Sequence, residues 1–214
     1  MNTTYYDPKE TALTRNRYQR ISAFYDLMEV LSERRYHLWR ERLWSLVEGP
    51  NVLEAGVGTG KNIPYYPEGL RITGIDLTRG MLARAQERAA KMDIDVSLNL
   101  GDVQALEFPD ATFDSAVATF VFCSVPDPVL GLHELQRVVK PGGQIVLMDH
   151  VRSEQPLLGV LMDIFNPAAV RMTGANINRR TVENVSTSRL SIEHVEDLGM
   201  GDIFKLIIAR REPS

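Results

Sequence analysis

Short apolar stretches alternate with helical stretches along most of this chain, and this alternation limits the possible folds more than any other feature. The apolar stretches predict strands at residues 51–55, 71–75, 95–100, 113–120 and 144–148. Helices are predicted between them, most clearly at 78–91 and 128–139. Strands separated by helices pair in parallel through crossover connections. The sequence therefore predicts an α/β fold with an open, mainly parallel sheet.

The two ends of the chain carry different patterns from the middle. Residues 11–47 have a helical period. The apolar positions that set this period are Ile21, Phe24, Met28 and Leu31. Near the other end, residues 157–165 form an amphipathic stretch, and 191–195 with 204–209 predict a pair of strands. We therefore expect helices before the sheet and additional strands at its end.

Length, charge and cysteine content exclude several classes of protein. The 214 residues suit one domain, and the formal net charge of −4 at pH 7 does not favour a nucleic-acid partner. The single cysteine, Cys123, rules out an intrachain disulfide and favours a cytoplasmic setting. The most apolar stretch, 116–125, is shorter than the roughly 20 residues that a membrane-spanning helix needs. We expect a cytoplasmic protein, with peripheral contact at the inner face of a membrane as an open alternative.

The loop after the first predicted strand is rich in glycine, with Gly56, Gly58 and Gly60 at alternate positions. In parallel sheets, ligands bind beyond the carboxyl ends of the strands, but NAD and FAD proteins use similar loops. Here Glu54 precedes the glycines, and its carboxylate would repel a pyrophosphate. S-adenosylmethionine (SAM) carries a cationic sulfonium and an ammonium group, so an acidic neighbour suits it better. A tight turn without a ligand is the alternative interpretation.

Two aspartates follow the next two predicted strands. Asp76 ends the second strand, where a carboxylate can accept hydrogen bonds from both hydroxyls of a ribose. Its alternative role is to cap the following helix, for which Thr78 is also available. Asp102 follows the third strand and can accept from the exocyclic amine of adenine, although it can also be a simple turn residue. Both positions favour a nucleoside ligand.

In this order, the segments resemble the motifs of the class I SAM-dependent methyltransferase family. The matching segments are 52–60, 74–76 with Met81 following, 101–103, 113–114, 134–137 and 139–143. The resemblance implies a Rossmann-like, mainly parallel sheet of seven strands flanked by helices, with an antiparallel last strand at 204–209. We expect residues 1–48 to form an N-terminal helical lid or membrane-contact segment. Residues 49–214 would then form the SAM-binding methyltransferase domain, within a chain that is a single domain overall.

The resemblance also implies a cofactor and the residues that bind it. The cofactor is SAM, and the product after methyl transfer is S-adenosylhomocysteine. The implied cofactor-binding residues are Tyr25, Glu54, Ala55, Gly56, Gly58, Gly60, Asp76, Leu77, Met81, Gly101, Asp102, Val103 and Thr119. Tyr25 and the following aspartate also look like a Tyr-Asp pair of the ubiquinone/menaquinone-type branch.

A finer resemblance concerns the methyl acceptor. Residues 121–125, 148–151, 166–167 and 174–179 are similar to bacterial phospholipid N-methyltransferases, which methylate phosphatidylethanolamine, and to membrane-associated thiol methyltransferases. The resemblance implies a lipophilic acceptor, with the amine of phosphatidylethanolamine as the first choice. A small thiol, a quinone precursor or another small molecule is the alternative. A SAM-binding protein without turnover is a further alternative from a different class.

Three residues are candidates for catalysis. His150 can accept a proton or orient the acceptor because imidazole titrates near neutral pH. Asp149 can hold that imidazole or attract a cationic head group. Tyr25, together with Tyr18, can form an aromatic wall with hydroxyl groups. For Asp149 and His150 the alternative is capping of a loop, for the tyrosines it is core packing, and no spacing typical of metal ligands is present.

Two surface features are compatible with an anionic lipid surface. Arg15, Arg17 and Arg20 lie in the same predicted helical region as the apolar residues 21–31. The stretch 157–165, followed by several arginines, can cover an acceptor site. A solvated helix face and ordinary packing of a lid are the alternatives.

Overall fold

A seven-stranded sheet lies at the centre of the structure, a computed structural model that describes residues 6–22, 30–199 and 201–213. Its strands are β1 (Asn51–Ala55), β2 (Arg71–Asp76), β3 (Ser97–Leu100), β4 (Phe113–Thr119), β5 (Val139–His150), β6 (Ser191–Asp197) and β7 (Phe204–Arg210). They lie in the order β3-β2-β1-β4-β5-β7-β6. Pairing is parallel from β3 to β5, whereas β7 runs antiparallel to β5 and β6. The predicted fold class, including the antiparallel last strand, is confirmed.

Helices join and flank these strands. They are α1 (Pro8–Ile21), α2 (Val30–Trp44), α3 (Arg79–Met92), α4 (Pro128–Val138), α5 (Pro156–Thr173) and α6 (Thr181–Thr187). Local capping explains where several of them begin. The Asp127 side chain accepts from Leu130 N at 3.0 Å before α4, and Asp7 accepts from Lys9 N at 2.8 Å in α1. Residues 23–29, and with them the predicted site residue Tyr25, lie outside the described residues.

The core lies on both faces of the sheet because adjacent strand residues point in opposite directions. Leu53 of β1 packs in one cluster with Leu132 and Leu135 of α4. Its neighbour Val52 packs in a second cluster with Leu43 and Trp44 of α2. The central strands are therefore covered on both sides, as the continuous apolar sequence of β4 predicts.

Several elements differ from the prediction: β3 begins at Ser97 rather than 95, and α5 extends beyond 165 to Thr173. Two further differences have a clear physical reason. The sequence places the start of the fifth strand at residue 144, after a turn, but β5 begins at Val139. Val139 pairs with Phe113, and the carbonyl of Gly143 accepts from Arg211 N at 3.0 Å, so tertiary pairing extends the strand through the glycines. The short helix α6 is absent from the sequence-based prediction because it is short and its sequence, TVENVST, is largely polar.

Candidate functional site

A cavity opens at the carboxyl ends of β1, β2 and β4. Most of the predicted cofactor residues line it: Gly56, Gly58, Asp76, Leu77, Met81, Gly101, Asp102, Val103 and Thr119. Thr14 and Tyr18 of α1 also line this cavity, and so does Arg40 of α2. The sheet and both N-terminal helices therefore contribute to one site.

Two glycines shape the wall of the cavity that follows β1. Gly56 and Gly58 have φ angles of +72° and +58°, a region that L side chains rarely adopt. A Cβ on Gly56 would lie 2.4 Å from Val121 Cγ2, so no side chain fits there. On Gly58 it would meet only the Gly56 carbonyl oxygen, at 4.0 Å. The main chain at Gly58 is therefore open to close approach by a ligand.

The carboxylate of Asp76 is held by the same loop. Its Oδ2 accepts from Gly58 N at 3.0 Å, and its Oδ1 accepts from Thr78 N at 2.9 Å. Thr78 caps α3, since its Oγ1 accepts from Met81 N at 3.3 Å. Burial raises the pKa of Asp76, and the hydrogen bonds from Thr78 and Gly58 offset part of that rise. Oδ1 also accepts from Thr78 Oγ1 at 3.1 Å, so Oδ2 is the oxygen that keeps a further lone pair for a ligand hydroxyl.

Asp102 lies farther along the cavity wall and is held by a residue that sequence reasoning missed. Gln104 donates through its backbone N to Asp102 Oδ1 at 2.9 Å, and its side-chain Nε2 lies 3.2 Å from the same oxygen. The same Nε2 also donates to Thr11 Oγ1 of α1 at 3.1 Å. Gln104 therefore joins the predicted adenine-binding aspartate to the N-terminal helix.

Glu54 does not line the cavity, which corrects the expectation that its carboxylate lies beside the ligand. It is 1% exposed, and its oxygens accept from Asn62 Nδ2, at 2.7 Å, and from the Tyr66 hydroxyl. Burial raises the pKa of Glu54, and these two hydrogen bonds oppose that effect. Asn62 itself lines the cavity and donates to Thr119 Oγ1 at 3.0 Å. Glu54 therefore contributes to the cavity wall indirectly, by accepting a hydrogen bond from Asn62.

Two cationic side chains lie at the same end of the cavity, and sequence reasoning missed both. Arg40 Nη1 donates to Asn62 Oδ1 at 2.6 Å, and its Nε donates to Glu33 Oε1 at 3.0 Å. Lys61 Nζ lies 3.0 Å from Glu33 Oε2. Both cations line the cavity, and they share the carboxylate of Glu33. This end of the cavity can therefore accept an anionic group.

Ala55 and Gly60 are predicted cofactor residues that do not line the cavity. Ala55 is 0% exposed and belongs to the core cluster of β1 and α4. A Cβ on Gly60 would lie 2.6 Å from Ile63 Cδ1 and 3.0 Å from Ala85 Cα. Glycine at position 60 allows α3 to approach the loop, and its role in the structure is packing.

Asp149 does not line the cavity either. It is 1% exposed, and its Oδ2 accepts from Thr181 Oγ1 at 3.2 Å. Its Oδ1 accepts from the backbone N of His150 at 3.1 Å, so it holds the main chain rather than the imidazole. Burial raises the pKa of Asp149 to about 7, and the Cys123 thiol and Thr181 hydroxyl stabilise the ionised form. The expectation that Asp149 holds the imidazole of His150 is therefore wrong.

His150 lies outside the cavity wall, against an aromatic cluster. Its ring meets Phe204 edge-on, with centroids 5.2 Å apart, and Phe204 lies 6.1 Å from Phe120, which lines the cavity. Burial lowers the pKa of His150. Its Nδ1 is buried and has no hydrogen-bond partner among the described residues. His150 is therefore a neutral imidazole one aromatic layer away from the cavity.

Within the described residues, no group of histidine, cysteine and acidic side chains is arranged to hold a metal ion. The described helices include none with the length and apolar character needed to cross a membrane. Cys123 is buried, and its Sγ lies 3.5 Å from the Phe120 carbonyl oxygen.

The donor set of the cavity fits SAM. Asp76 can accept from a ribose hydroxyl through Oδ2, and Asp102 can accept from the adenine amine. The cationic end, at Arg40 and Lys61, suits the carboxylate of the methionine part. Open backbone at Gly58 leaves room for the ligand to pass between these groups.

Comparison with known proteins agrees with this interpretation. A family model described as a methyltransferase domain matches residues 53–147. The phosphatidylethanolamine N-methyltransferase of Cereibacter sphaeroides is 42% identical over 115 residues, which cover 52% of this chain and 57% of that protein. The ubiquinone/menaquinone biosynthesis C-methyltransferase of Bdellovibrio bacteriovorus is 30% identical over 161 residues, covering 72% of this chain and 68% of that protein. The chain thus spans a little over half the length of the first relative and about two thirds of the second.

A solved structure shows the same fold at low sequence identity. Geranyl diphosphate C-methyltransferase from Streptomyces coelicolor matches with a TM-score of 0.67 and 19% identity, covering 82% of this chain and 77% of that chain. The family match, the sequence identity to these relatives over part of their length and the shared fold are mutually consistent. The chain therefore belongs to the class I SAM-dependent methyltransferases, and SAM is its methyl donor.

Proposed function

We propose that this enzyme methylates the amine of phosphatidylethanolamine. The observation that carries this proposal is the 42% identity to the phosphatidylethanolamine N-methyltransferase of Cereibacter sphaeroides. The second candidate is methylation of a quinone precursor, which the longer but weaker match to the Bdellovibrio bacteriovorus enzyme favours. Both acceptors are lipophilic, and they differ in the atom that receives the methyl group.

In this proposal, Asp76 and Asp102 bind the nucleoside part of SAM, and Arg40 with Lys61 binds its carboxylate. When bound, SAM supplies a methyl carbon that is activated by a cationic sulfonium. The protein therefore needs mainly to align the acceptor and to exclude water.

The N-terminal helices would exclude that water. Gly80 N of α3 donates to Gln19 Oε1 of α1 at 3.0 Å, which fastens α1 to the sheet domain. Thr14 and Tyr18 then cover the cavity from the α1 side. Tyr18 forms a hydrogen bond with Ser124 of the opposite wall, and burial raises its pKa, so its hydroxyl stays protonated. We assign α1 and α2 the role of a lid on this basis.

His150 is the proposed proton acceptor. An amine must lose its proton to act as a nucleophile, and a neutral imidazole can take that proton. The lowered pKa of His150 keeps it neutral near pH 7, and its Nδ1 is unpaired among the described residues. The rings of Phe204 and Phe120 separate His150 from the cavity, so in this proposal the acceptor amine reaches the imidazole only by passing Phe120.

The test is incubation of the full chain with methyl-labelled SAM and separate acceptors. The acceptors are vesicles of phosphatidylethanolamine, a demethylated menaquinone in detergent, and a small alkyl thiol, with phosphatidylcholine vesicles as the control without a free amine. We expect label in methylated phosphatidylethanolamine. Label in the quinone or thiol alone would reject the phospholipid assignment. Binding of SAM without release of S-adenosylhomocysteine from any acceptor would instead indicate a SAM-binding protein without turnover.

A further inference from the structure

Helix α5 presents a continuous apolar surface to solvent. We call this surface the outer face of α5. It consists of seven apolar residues and one arginine: Leu157, Val160, Leu161, Ile164, Phe165, Ala168, Arg171 and Met172. Their spacing of one, three or four positions places them on one side of a helix. Leu157, Ile164 and Met172 are 76%, 63% and 81% exposed, whereas Met162 on the opposite side is buried. An exposed apolar patch of this extent typically marks an interaction surface.

The charges of α5 are arranged so that this face is apolar and positive. The helix contains two charged residues, Asp163 and Arg171. Asp163 lies off the outer face, where its carboxylate pairs with Arg152 at 2.8 Å and accepts from Asn178 Nδ2 at 3.0 Å. Arg171 lies on the outer face and is exposed. The only charge on the face is therefore a cation.

A second cation lies at the C-terminal end of α5. A Cβ on Gly174, which caps the C-terminal end of α5, would lie 3.5 Å from Arg17 Cδ of α1. Arg15 and Arg20 on α1 are exposed as well. Arg17 therefore adds a second cation at the end of α5 that carries Arg171, and apolar side chains beside cations are the pattern of helices that lie on anionic membranes.

The opposite side of α5 is connected to the cavity. Asn166 of α5 holds the segment that follows the helix, since its Oδ1 accepts from Ile177 N at 2.9 Å. In that segment, Asn176 donates through its backbone N to the carbonyl of Cys123 at 2.8 Å. Cys123 adjoins Ser124 and Val125, which line the cavity. The side of α5 opposite the outer face therefore leads to one wall of the cavity, and the thickness of the helix, about 10 Å, separates that side from a surface bound to the outer face.

We propose that the outer face of α5 is a membrane-docking surface that seats the enzyme on an anionic bilayer. A second copy of the chain fits this face less well, because a two-fold contact would bury Arg171 of each copy against apolar side chains without a carboxylate. At a bilayer the long Arg171 side chain reaches lipid phosphates while its apolar neighbours enter the acyl region. The inference rests on the proposed function in that the docked lipid supplies the acceptor.

The test is vesicle co-sedimentation of the full chain with phosphatidylcholine alone and with added phosphatidylglycerol, neither of which carries the acceptor amine. We expect Ile164→Glu to weaken binding to the anionic vesicles by at least about tenfold. Met92→Glu, at an exposed apolar position on α3, is the matched control and should bind like wild type. Arg171→Gln should reduce the preference for anionic vesicles about fivefold, and Arg171→Lys should retain it. SAM affinity, measured by calorimetry, should be unchanged in all four variants and shows that they fold.

Each outcome separates this inference from the proposed function. Equal vesicle binding by wild type and Ile164→Glu would overturn the docking surface. Absence of vesicle binding by wild type, with a dimer in sedimentation velocity that Ile164→Glu dissociates, would show that the face is a contact between copies. Vesicle binding that depends on Ile164, without methylation of phosphatidylethanolamine in vesicles or detergent, would support docking and reject the acceptor.

Discussion

The two halves of the site differ in how their residues are held. In the cofactor half, at the ends of β1 and β2, Asp76 is held by main-chain N–H groups of Gly58 and Thr78. In the proposed acceptor half, at the end of β5, His150 is held by packing against Phe204 and has an unpaired Nδ1 among the described residues. A site formed by a glycine loop and its main-chain groups can be predicted from the sequence, because its residues are close together in the chain. A site formed by packed side chains cannot, because the positions of those side chains depend on elements that are distant in sequence.

This comparison also applies to the two adjacent residues at the end of β5. Asp149 pairs with Thr181 on one side of the sheet, while His150 meets Phe204 on the other. Their separation follows from the alternation of side chains along a strand. The side chains of adjacent candidate residues in a strand therefore cannot contact each other, and each residue needs a test of its own.

The largest effect is expected in the cofactor half, for Asp76→Ala. Loss of a ribose hydrogen bond to a charged acceptor, worth about 1.5–3 kcal/mol, together with loss of the hold of Asp76 on Gly58 N, should weaken SAM binding by at least about a hundredfold. Calorimetry measures the SAM affinity of the variant and of wild type. Asp114→Ala is the control, because Asp114 accepts from Asn51 N at 2.9 Å outside the cavity and its loss should leave SAM affinity intact. Wild-type affinity in Asp76→Ala would show that the nucleoside binds elsewhere.

The next effect tests the acceptor half through His150→Gln. Turnover should fall by about a hundredfold while SAM affinity is kept, because general-base catalysis contributes on that order. Burial lowers the pKa of His150, so the base form persists to lower pH and the acid limb of the wild-type pH–rate profile should lie below about 6.5. His194→Gln, on the exposed edge strand β6, is the control. A full rate with an unchanged acid limb in His150→Gln would remove the residue from the mechanism.

A smaller effect is expected from Gly58→Ala. Alanine at φ +58° costs about 1 kcal/mol of folding stability, and its methyl group would enter the open space at the loop, so SAM affinity should fall about tenfold. Gly142→Ala provides the comparison, since Gly142 has φ +76° and no atom within 4 Å of the added Cβ. Both variants should lose similar stability in thermal denaturation. Equal SAM affinities of Gly58→Ala and Gly142→Ala would indicate that Gly58 is needed only for the backbone conformation of the turn.

The smallest effect concerns the stability of the acceptor half, tested with Asp149→Asn. Burial raises the pKa of Asp149 to about 7, above its value in the unfolded chain. The folded state therefore binds the proton more tightly, and the stability that this provides at low pH is lost as pH rises to about 7. Asparagine cannot ionise, so the variant does not lose this stability. The melting temperature of the variant minus that of wild type should therefore rise between about pH 4 and pH 7. A constant difference across that range would contradict the assigned pKa.

The prediction from sequence was most complete where the pattern is local. β1 coincides with its predicted bounds, and Asp76 lines the cavity because a residue at the end of a buried strand has few possible positions. Arg40 and Gln104 could not be predicted in the same way. Arg40 lies on α2, whose approach to the cavity depends on helix packing. Gln104 lies in the loop after β3, and its hydrogen bonds to Asp102 and to Thr11 of α1 place it. Neither residue has a spacing relative to the glycine loop that marks it.

Glu54 shows the limit of an argument from charge alone. Its position before the glycines indicated a carboxylate near the ligand, yet it is buried behind Asn62, which contacts the cavity in its place. The sequence cannot show which of several polar neighbours faces a cavity, because that depends on how the chain turns after the loop.

The sequence by itself determined the order of strands and helices, the glycine turn after β1 and the family of the enzyme, because these depend on residues close together in the chain. Only the tertiary structure decided that Asp149 and His150 face different surroundings and that α5 leaves an apolar face exposed. The physical reason is that direction and burial of a side chain are set by elements that pack against it, and those elements are distant in sequence.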